Sequence, residues 1–86
     1  DSQNVITVLD HGIKISREQQ FGKYISFFSM GDKAEGVTLK GFKYPLEDFT
    51  LMNSDEIGVS NELKEDWGEI TFRSGIILMI MSKDRN

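Results

Sequence analysis

The sequence predicts a mostly β fold, a small, strongly bent barrel or sheet of about five to seven short strands with one or two helical turns. Two observations support this prediction. Apolar and polar residues alternate along most of the chain, which is the pattern of strands with one buried face. Eight glycines interrupt the alternation, as expected of tight turns between strands. Because 86 residues can bury one modest core, we expect a single domain over residues 1–86.

The expected strands follow the alternation and are bounded by turn residues. They cover residues 5–9, 13–15, 23–29, 36–44, 49–52, 69–72 and 76–81. The turn residues at 10–12 and 73–75 predict that the first two strands form one hairpin and the last two another. Pro45 ends the fourth strand, because proline has no N–H to donate within a sheet.

Two segments are expected outside the strands. Ser16 and Gln19 have the spacing of a capping box, which predicts one helical turn before Gly22. Residues 57–66 are polar and acidic, and they predict a loop with at most a further helical turn at residues 61–66.

The last expected strand, residues 76–81, is apolar on both sides. Its neighbours must therefore cover both faces, which suits a bent barrel strand or a strand at a subunit interface. A structural subunit whose last strand pairs between copies in a ring or fibre is accordingly one functional alternative, and a homo-oligomer is one expected form of partner.

The composition excludes several kinds of site. There are no cysteines and the single histidine is His11, so we expect no disulfide, thiolate nucleophile, metal site or cofactor. The glycines do not form a phosphate-binding motif. The adjacent acidic residues lie in polar segments rather than in the apolar surroundings that suit paired catalytic carboxylates. We therefore expect a protein that is not an enzyme, and a small hydrolase built around His11 is the enzymatic alternative.

The hydropathy of the chain and its first residue give expectations about the cellular location of the protein. No apolar run approaches the roughly 20 residues that span a bilayer, so we expect no membrane contact and a soluble protein, with the cytoplasm favoured. The chain begins at Asp1 rather than at a methionine, which is typical of a processed product or an excised domain.

The charge distribution indicates a candidate surface. Residues 46–70 carry eight acidic side chains and one basic side chain. Such a segment repels phosphate and attracts a basic partner protein. The leading hypothesis is therefore a non-catalytic protein-binding domain, of the kind found in small acidic inhibitors, immunity proteins and phage-encoded host-blocking proteins. Its expected contact residues are Glu62, Glu65, Asp66, Trp67 and Glu69.

Basic and aromatic residues elsewhere in the chain support an alternative ligand, RNA. Their alternation can stack bases and neutralise a phosphate backbone. The candidate nucleic-acid contacts are Lys40, Lys43, Tyr44 and Arg73.

Two segments also resemble the conserved motifs of Sm-like (LSm) domains. The first consists of FGKYISF at residues 21–27, followed by EGV and LKGF within residues 35–42, and the second is EITFRSGII at residues 69–77. The resemblance implies a small bent barrel of about five strands and an RNA-binding or RNA-decay scaffold module. Arg73 matches an RNA-contacting position of that family, whereas Lys43 and residues 46–48 depart from its base-binding pattern.

Overall fold

The fold of this chain is built from β-strands. A computed structural model describes residues 4–53, 55 and 60–83, and these residues form seven strands and no helix. The strands are β1 (Asn4–Leu9), β2 (Ile13–Ser16), β3 (Tyr24–Ser29), β4 (Lys33–Lys40), β5 (Leu46–Met52), β6 (Trp67–Thr71) and β7 (Ile77–Ser82). The prediction of a mostly β fold with short strands is confirmed.

The strands divide between two antiparallel sheets. One sheet has three strands in the order β1-β7-β3, and the other has four in the order β2-β6-β4-β5. Both sheets are open, so of the two predicted shapes the described residues adopt the sheet rather than the closed barrel.

Neither predicted terminal hairpin forms. β1 pairs with β7 and β2 pairs with β6, so the turn at residues 10–12 carries the chain from one sheet to the other. The turn is tight, since a β-carbon on Gly12 would lie 2.7 Å from the carbonyl oxygen of Ile70. In the same way, residues 73–75 pass the chain from β6 to the other sheet. β7 takes the central position between β1 and β3 instead of pairing with β6.

One hydrophobic core lies between the two sheets. The ring of Phe27 on β3 packs edge-on against Phe42, which follows β4, with 5.5 Å between the ring centroids. The buried apolar residues of this core are Leu9, Ile15, Ile25, Phe27, Ala34, Val37, Leu39, Phe42, Leu51, Leu63, Ile70, Ile77, Met79 and Met81.

The other face of the three-stranded sheet is also apolar. The register sets Ile6, Ile80 and Ser26 in one row and Val8, Leu78 and Phe28 in the next. Directly opposed residues of antiparallel strands project from the same face. We call the apolar members of these two rows, Ile6, Val8, Phe28, Leu78 and Ile80, the outer apolar face. On this face Ile6 is 59% exposed and Val8 57% exposed, while Leu78 and Ile80 of β7 are half-buried.

The expected helical turns take other forms. The Ser16 N–H donates to Gln19 Oε1 at 2.9 Å and the Gln19 N–H donates to Ser16 Oγ at 3.2 Å, which are the contacts of a capping box. The residues between them nevertheless form a turn and not a helix. Asn61 and Leu63 form single bridges to β3 and to Phe42, and residues 57–59 lie outside the described part. No described residue belongs to a helix able to cross a membrane.

Candidate ligand-binding cavity

A row of charged residues crosses the solvent face of the four-stranded sheet. Glu69 on β6 is the register partner of Lys14 on β2 and also of Lys40 on β4. Trp67 precedes Glu69 by two residues and therefore projects from the same face. Its side chain is 58% exposed, so the indole stands at the surface rather than in the core.

These side chains surround a cavity of about 520 Å³. The lining residues are Lys14, Lys40, Gly41, Glu65, Trp67, Gly68 and Glu69. Gly41 has a φ of 82°, and a β-carbon there would collide with the carbonyl oxygen of Trp67. A glycine is therefore required where the chain leaves β4 beside the cavity.

The charged groups of the cavity are not neutralised by neighbours. Lys14, Lys40, Glu65 and Glu69 form no ion pair with another residue of the described ranges. An aromatic face flanked by free carboxylates attracts an aromatic cation, and the free ammonium groups attract an anion.

The predicted protein-binding residues separate into two groups. Glu65, Trp67 and Glu69 come together in the cavity. Glu62 is 22% exposed and lies between Lys23, at 4.0 Å, and Lys43, at 3.8 Å. Asp66 lies outside the cavity, 3.9 Å from the Arg17 guanidinium. The acidic segment is thus partly balanced by basic residues from other strands, which composition along the chain does not reveal.

The predicted RNA-contacting residues have different neighbours in the structure. Lys40 lines the cavity at the end of β4. Lys43 lies over the ring of Tyr44, with its Nζ 5.4 Å from the ring centroid. The Arg73 side chain pairs with Asp48, and its backbone N–H donates to the Glu35 carbonyl near the start of β4.

Sequence reasoning missed Lys14 and Gly41, which line the cavity, and Asn61, which lies in the core. Lys14 alternates with two isoleucines and is therefore expected to point outward, but its neighbour Glu69 could not be known without the strand pairing. From the sequence, Gly41 predicts a turn, and nothing in the sequence indicates that it lines a cavity. Asn61 lies in a polar segment, yet it is fully buried.

Comparison with known proteins identifies the family. Residues 10–77 match the family model described as thiamin pyrophosphokinase, vitamin B1 binding domain. The chain belongs to this family. A curated relative, thiamine pyrophosphokinase of Bacillus subtilis (strain 168), is 34% identical over 84 residues, which are 98% of this chain and 39% of the relative.

Solved structures of thiamine pyrophosphokinases share the fold of this vitamin B1 binding domain. The crystal structure of the enzyme from Bacillus subtilis matches with a TM-score of 0.90 at 34% identity, over 98% of this chain and 39% of that one. The enzyme from Geobacillus thermodenitrificans matches with a TM-score of 0.82 at 33% identity, over 95% of this chain and 38% of that one. The chain thus spans about two fifths of the length of these relatives.

Membership of the vitamin B1 binding domain family corrects the Sm-like interpretation. The resemblance rested on short strands with glycines, a pattern that recurs in unrelated β folds. The structure explains why it failed. Residues 21–27 and 35–42 contribute β3 and β4 to different sheets, and residues 69–77 span the crossing from β6 to β7.

The same finding corrects the expected function. An acidic inhibitor, an immunity or host-blocking protein, and an RNA-decay module are all wrong, because the matched family is a vitamin-binding one. The expectation that the protein is not an enzyme is also wrong, since the relatives of this chain are thiamine pyrophosphokinases. That expectation rested on missing catalytic motifs. A chain that spans 39% of an enzyme need not contain the enzyme's catalytic motifs.

Proposed function

We propose that this chain is the vitamin B1-binding part of a thiamine pyrophosphokinase and that it holds the vitamin in the cavity beside Trp67. The observation that supports this most directly is the exposed indole of Trp67 with two free carboxylates, in a chain of the vitamin B1 binding domain family. The proposal assigns vitamin binding to this chain and makes no assignment of the transfer step.

The chemistry of the vitamin matches these groups. Thiamine joins an aromatic aminopyrimidine to a thiazolium ring with a permanent positive charge. A cation over an indole face contributes about 0.5 to 2 kcal/mol, and the carboxylates of Glu65 and Glu69 add attraction for the same charge. The cavity volume of about 520 Å³ is within the common range for small-molecule sites.

Trp67 provides its own test, because it is the single tryptophan of the sequence. Thiamine added to the 86-residue chain should change the intrinsic fluorescence of Trp67 with saturation, and calorimetry should give the same dissociation constant. Trp67→Ala should weaken binding by about 5- to 30-fold, the loss of about 1 to 2 kcal/mol of aromatic contact. Trp67→Phe keeps an aromatic face and should lose less.

A matched variant on the other sheet distinguishes the two faces of the molecule. Ile80→Thr changes the outer apolar face and leaves the cavity intact, so thiamine affinity should be unchanged. If Ile80→Thr removes binding while Trp67→Ala does not, the vitamin lies on the outer apolar face and the proposed site is wrong. If the chain binds no thiamine, its assignment as a vitamin-binding part is wrong.

A further inference from the structure

The segment 64–66 leads into Trp67 and carries Glu65, so it sets the position of one wall of the cavity. β6 lies between β2 and β4, and the segment that enters β6 has a neighbour on each side. On the β4 side, the Gly41 carbonyl accepts hydrogen bonds from the N–H groups of Lys64 and Glu65, at 2.8 and 3.2 Å. These bonds hold the amide groups of the segment beside β4.

On the β2 side, the same segment is bonded to Arg17, which directly follows β2. The backbone N–H of Arg17 donates to the Asp66 carbonyl at 2.9 Å, and its guanidinium Nη2 donates to the Glu65 carbonyl at 2.8 Å. Two consecutive carbonyl groups just before Trp67 therefore accept hydrogen bonds from one residue, which lies 48 positions before Glu65. Arg17 does not line the cavity, so it can affect a ligand there only through the segment that it holds.

The guanidinium makes two contacts with this segment, and they differ in strength. The ion pair with the Asp66 carboxylate spans 3.9 Å, and the Asp66 side chain is 95% exposed, so water and salt screen most of its attraction. The bond to the Glu65 carbonyl has a charged donor at 2.8 Å, and hydrogen bonds of this kind are stronger than neutral ones. The hydrogen bond to Glu65, rather than the ion pair, is therefore the contact that fixes the wall.

We infer that Arg17 is a positioning residue for the vitamin site, and that its guanidinium fixes segment 64–66 and so orients Glu65 and Trp67 before the ligand binds. This inference rests on the proposed function. A wall that is already fixed in the free chain loses little conformational freedom on binding, which raises affinity without any contact between Arg17 and the ligand.

The first test uses the free chain, because Trp67 is its single tryptophan and reports its own mobility. In Arg17→Ala, time-resolved fluorescence anisotropy should show a larger amplitude of nanosecond indole motion than in the unsubstituted chain. Thiamine affinity, measured by calorimetry, should fall by about 3- to 10-fold. The melting temperature should fall by less than about 8 °C, because the backbone hydrogen bond from residue 17 to Asp66 remains and the lost side chain is 54% exposed.

Three further variants separate positioning from a general effect of charge or stability. Asp66→Asn removes the ion pair and keeps the bond to the Glu65 carbonyl, so its thiamine affinity should stay within about twofold of the original. Arg17→Lys retains a charged donor and should recover part of the affinity lost in Arg17→Ala. Lys33→Ala is the matched control, since it removes an exposed ion pair with Glu35 from a lysine that does not line the cavity, and it should change neither readout.

The outcomes distinguish this inference from the proposed function. Unchanged indole motion in Arg17→Ala, or unchanged thiamine affinity, overturns the positioning role and leaves vitamin binding in place. A loss in Asp66→Asn equal to that in Arg17→Ala also overturns it, because the ion pair and not the hydrogen bond would then be responsible. Failure of the unsubstituted chain to bind thiamine overturns the proposed function and the inference together.

Discussion

Asn61 joins parts of the molecule that the strand ladders leave separate. Its backbone N–H and carbonyl both pair with Ile25 of β3. Its side chain accepts hydrogen bonds from the N–H groups of Tyr44 and Glu62, at 3.0 and 2.9 Å, and donates to the Tyr44 carbonyl at 2.9 Å. The residue is fully buried. Its backbone is bonded to β3 and its side chain to the segment that leaves β4, so this one residue connects the two.

We expect Asn61→Ala to lower the free energy of unfolding by about 2 to 3 kcal/mol, because the substitution removes three part-buried hydrogen bonds to backbone groups, each worth roughly 0.5 to 1.5 kcal/mol. Urea denaturation measures this change. Asn53→Ala is the matched control, because Asn53 is exposed and should cost less than about 0.5 kcal/mol. Equal losses for the two variants would contradict the structural role of Asn61.

Gly36 is the second residue whose replacement should be costly. Its φ is 69°, and a β-carbon there would lie 2.8 Å from Cζ of Arg73, whose guanidinium crosses the glycine to reach Asp48. We expect Gly36→Ala to destabilise the fold by about 1 to 2 kcal/mol through backbone strain and displacement of Arg73. Gly31→Ala should be nearly neutral in the same denaturation experiment, because a β-carbon at Gly31 meets nothing within 4 Å. An equally neutral Gly36→Ala would show that the left-handed backbone there is not needed.

At the scale of elements, the strands differ in how well their backbone is protected. Among the described residues, β7 is hydrogen-bonded on both edges and lies over the core, while β1 is an edge strand with β7 as its strand neighbour and carries three exposed apolar side chains. We expect the amide hydrogens of β7 to exchange with solvent at least about tenfold more slowly than those of β1, as measured by hydrogen exchange. Equal protection of β1 and β7 would mean that the outer edge of β1 is paired as well.

The positions of the strands were easier to predict from the sequence than the pairing between strands. Alternation and turn residues located every strand to within a few residues, because the pattern of burial along a strand is local. Pairing is not local. The turn at residues 73–75 is chemically suited to a hairpin, yet β7 pairs with β1 and β3, which lie far from it in sequence.

The cavity was predictable only in part, for the same reason. Glu65, Trp67 and Glu69 are close in sequence and were identified from the acidic segment. Lys14 comes from a strand more than fifty residues earlier and joins them through the β2–β6 pairing. Sequence therefore indicated the acidic half of the cavity, named Lys40 as a contact for a different ligand, and missed Lys14.

At the scale of the whole molecule, thiamine binding should raise the free energy of unfolding and the melting temperature. A ligand that binds the folded chain at 100 times its dissociation constant adds about 2.7 kcal/mol to the free energy of unfolding. For a domain of this size each kcal/mol raises the melting temperature by roughly 4 to 8 °C, so saturating thiamine should raise it by about 10 °C or more. Thermal unfolding followed by circular dichroism measures the shift. With Trp67→Ala at the same thiamine concentration the shift should be much smaller, and an undiminished shift would contradict the proposed cavity.

The division of neighbouring strands between two sheets also determines how the chain can fold. Among the strands of the described residues, β4 and β5 are the one consecutive pair that is hydrogen-bonded. That hairpin can form within microseconds, whereas the β1–β7 ladder must bring Asn4 beside Ser82 and close almost the whole chain into a loop. Folding times of milliseconds to seconds are typical of such topologies. During synthesis β1 and β3 lack their shared partner until β7 has left the ribosome, so their apolar side chains and unpaired edges stay exposed in that interval, which favours aggregation.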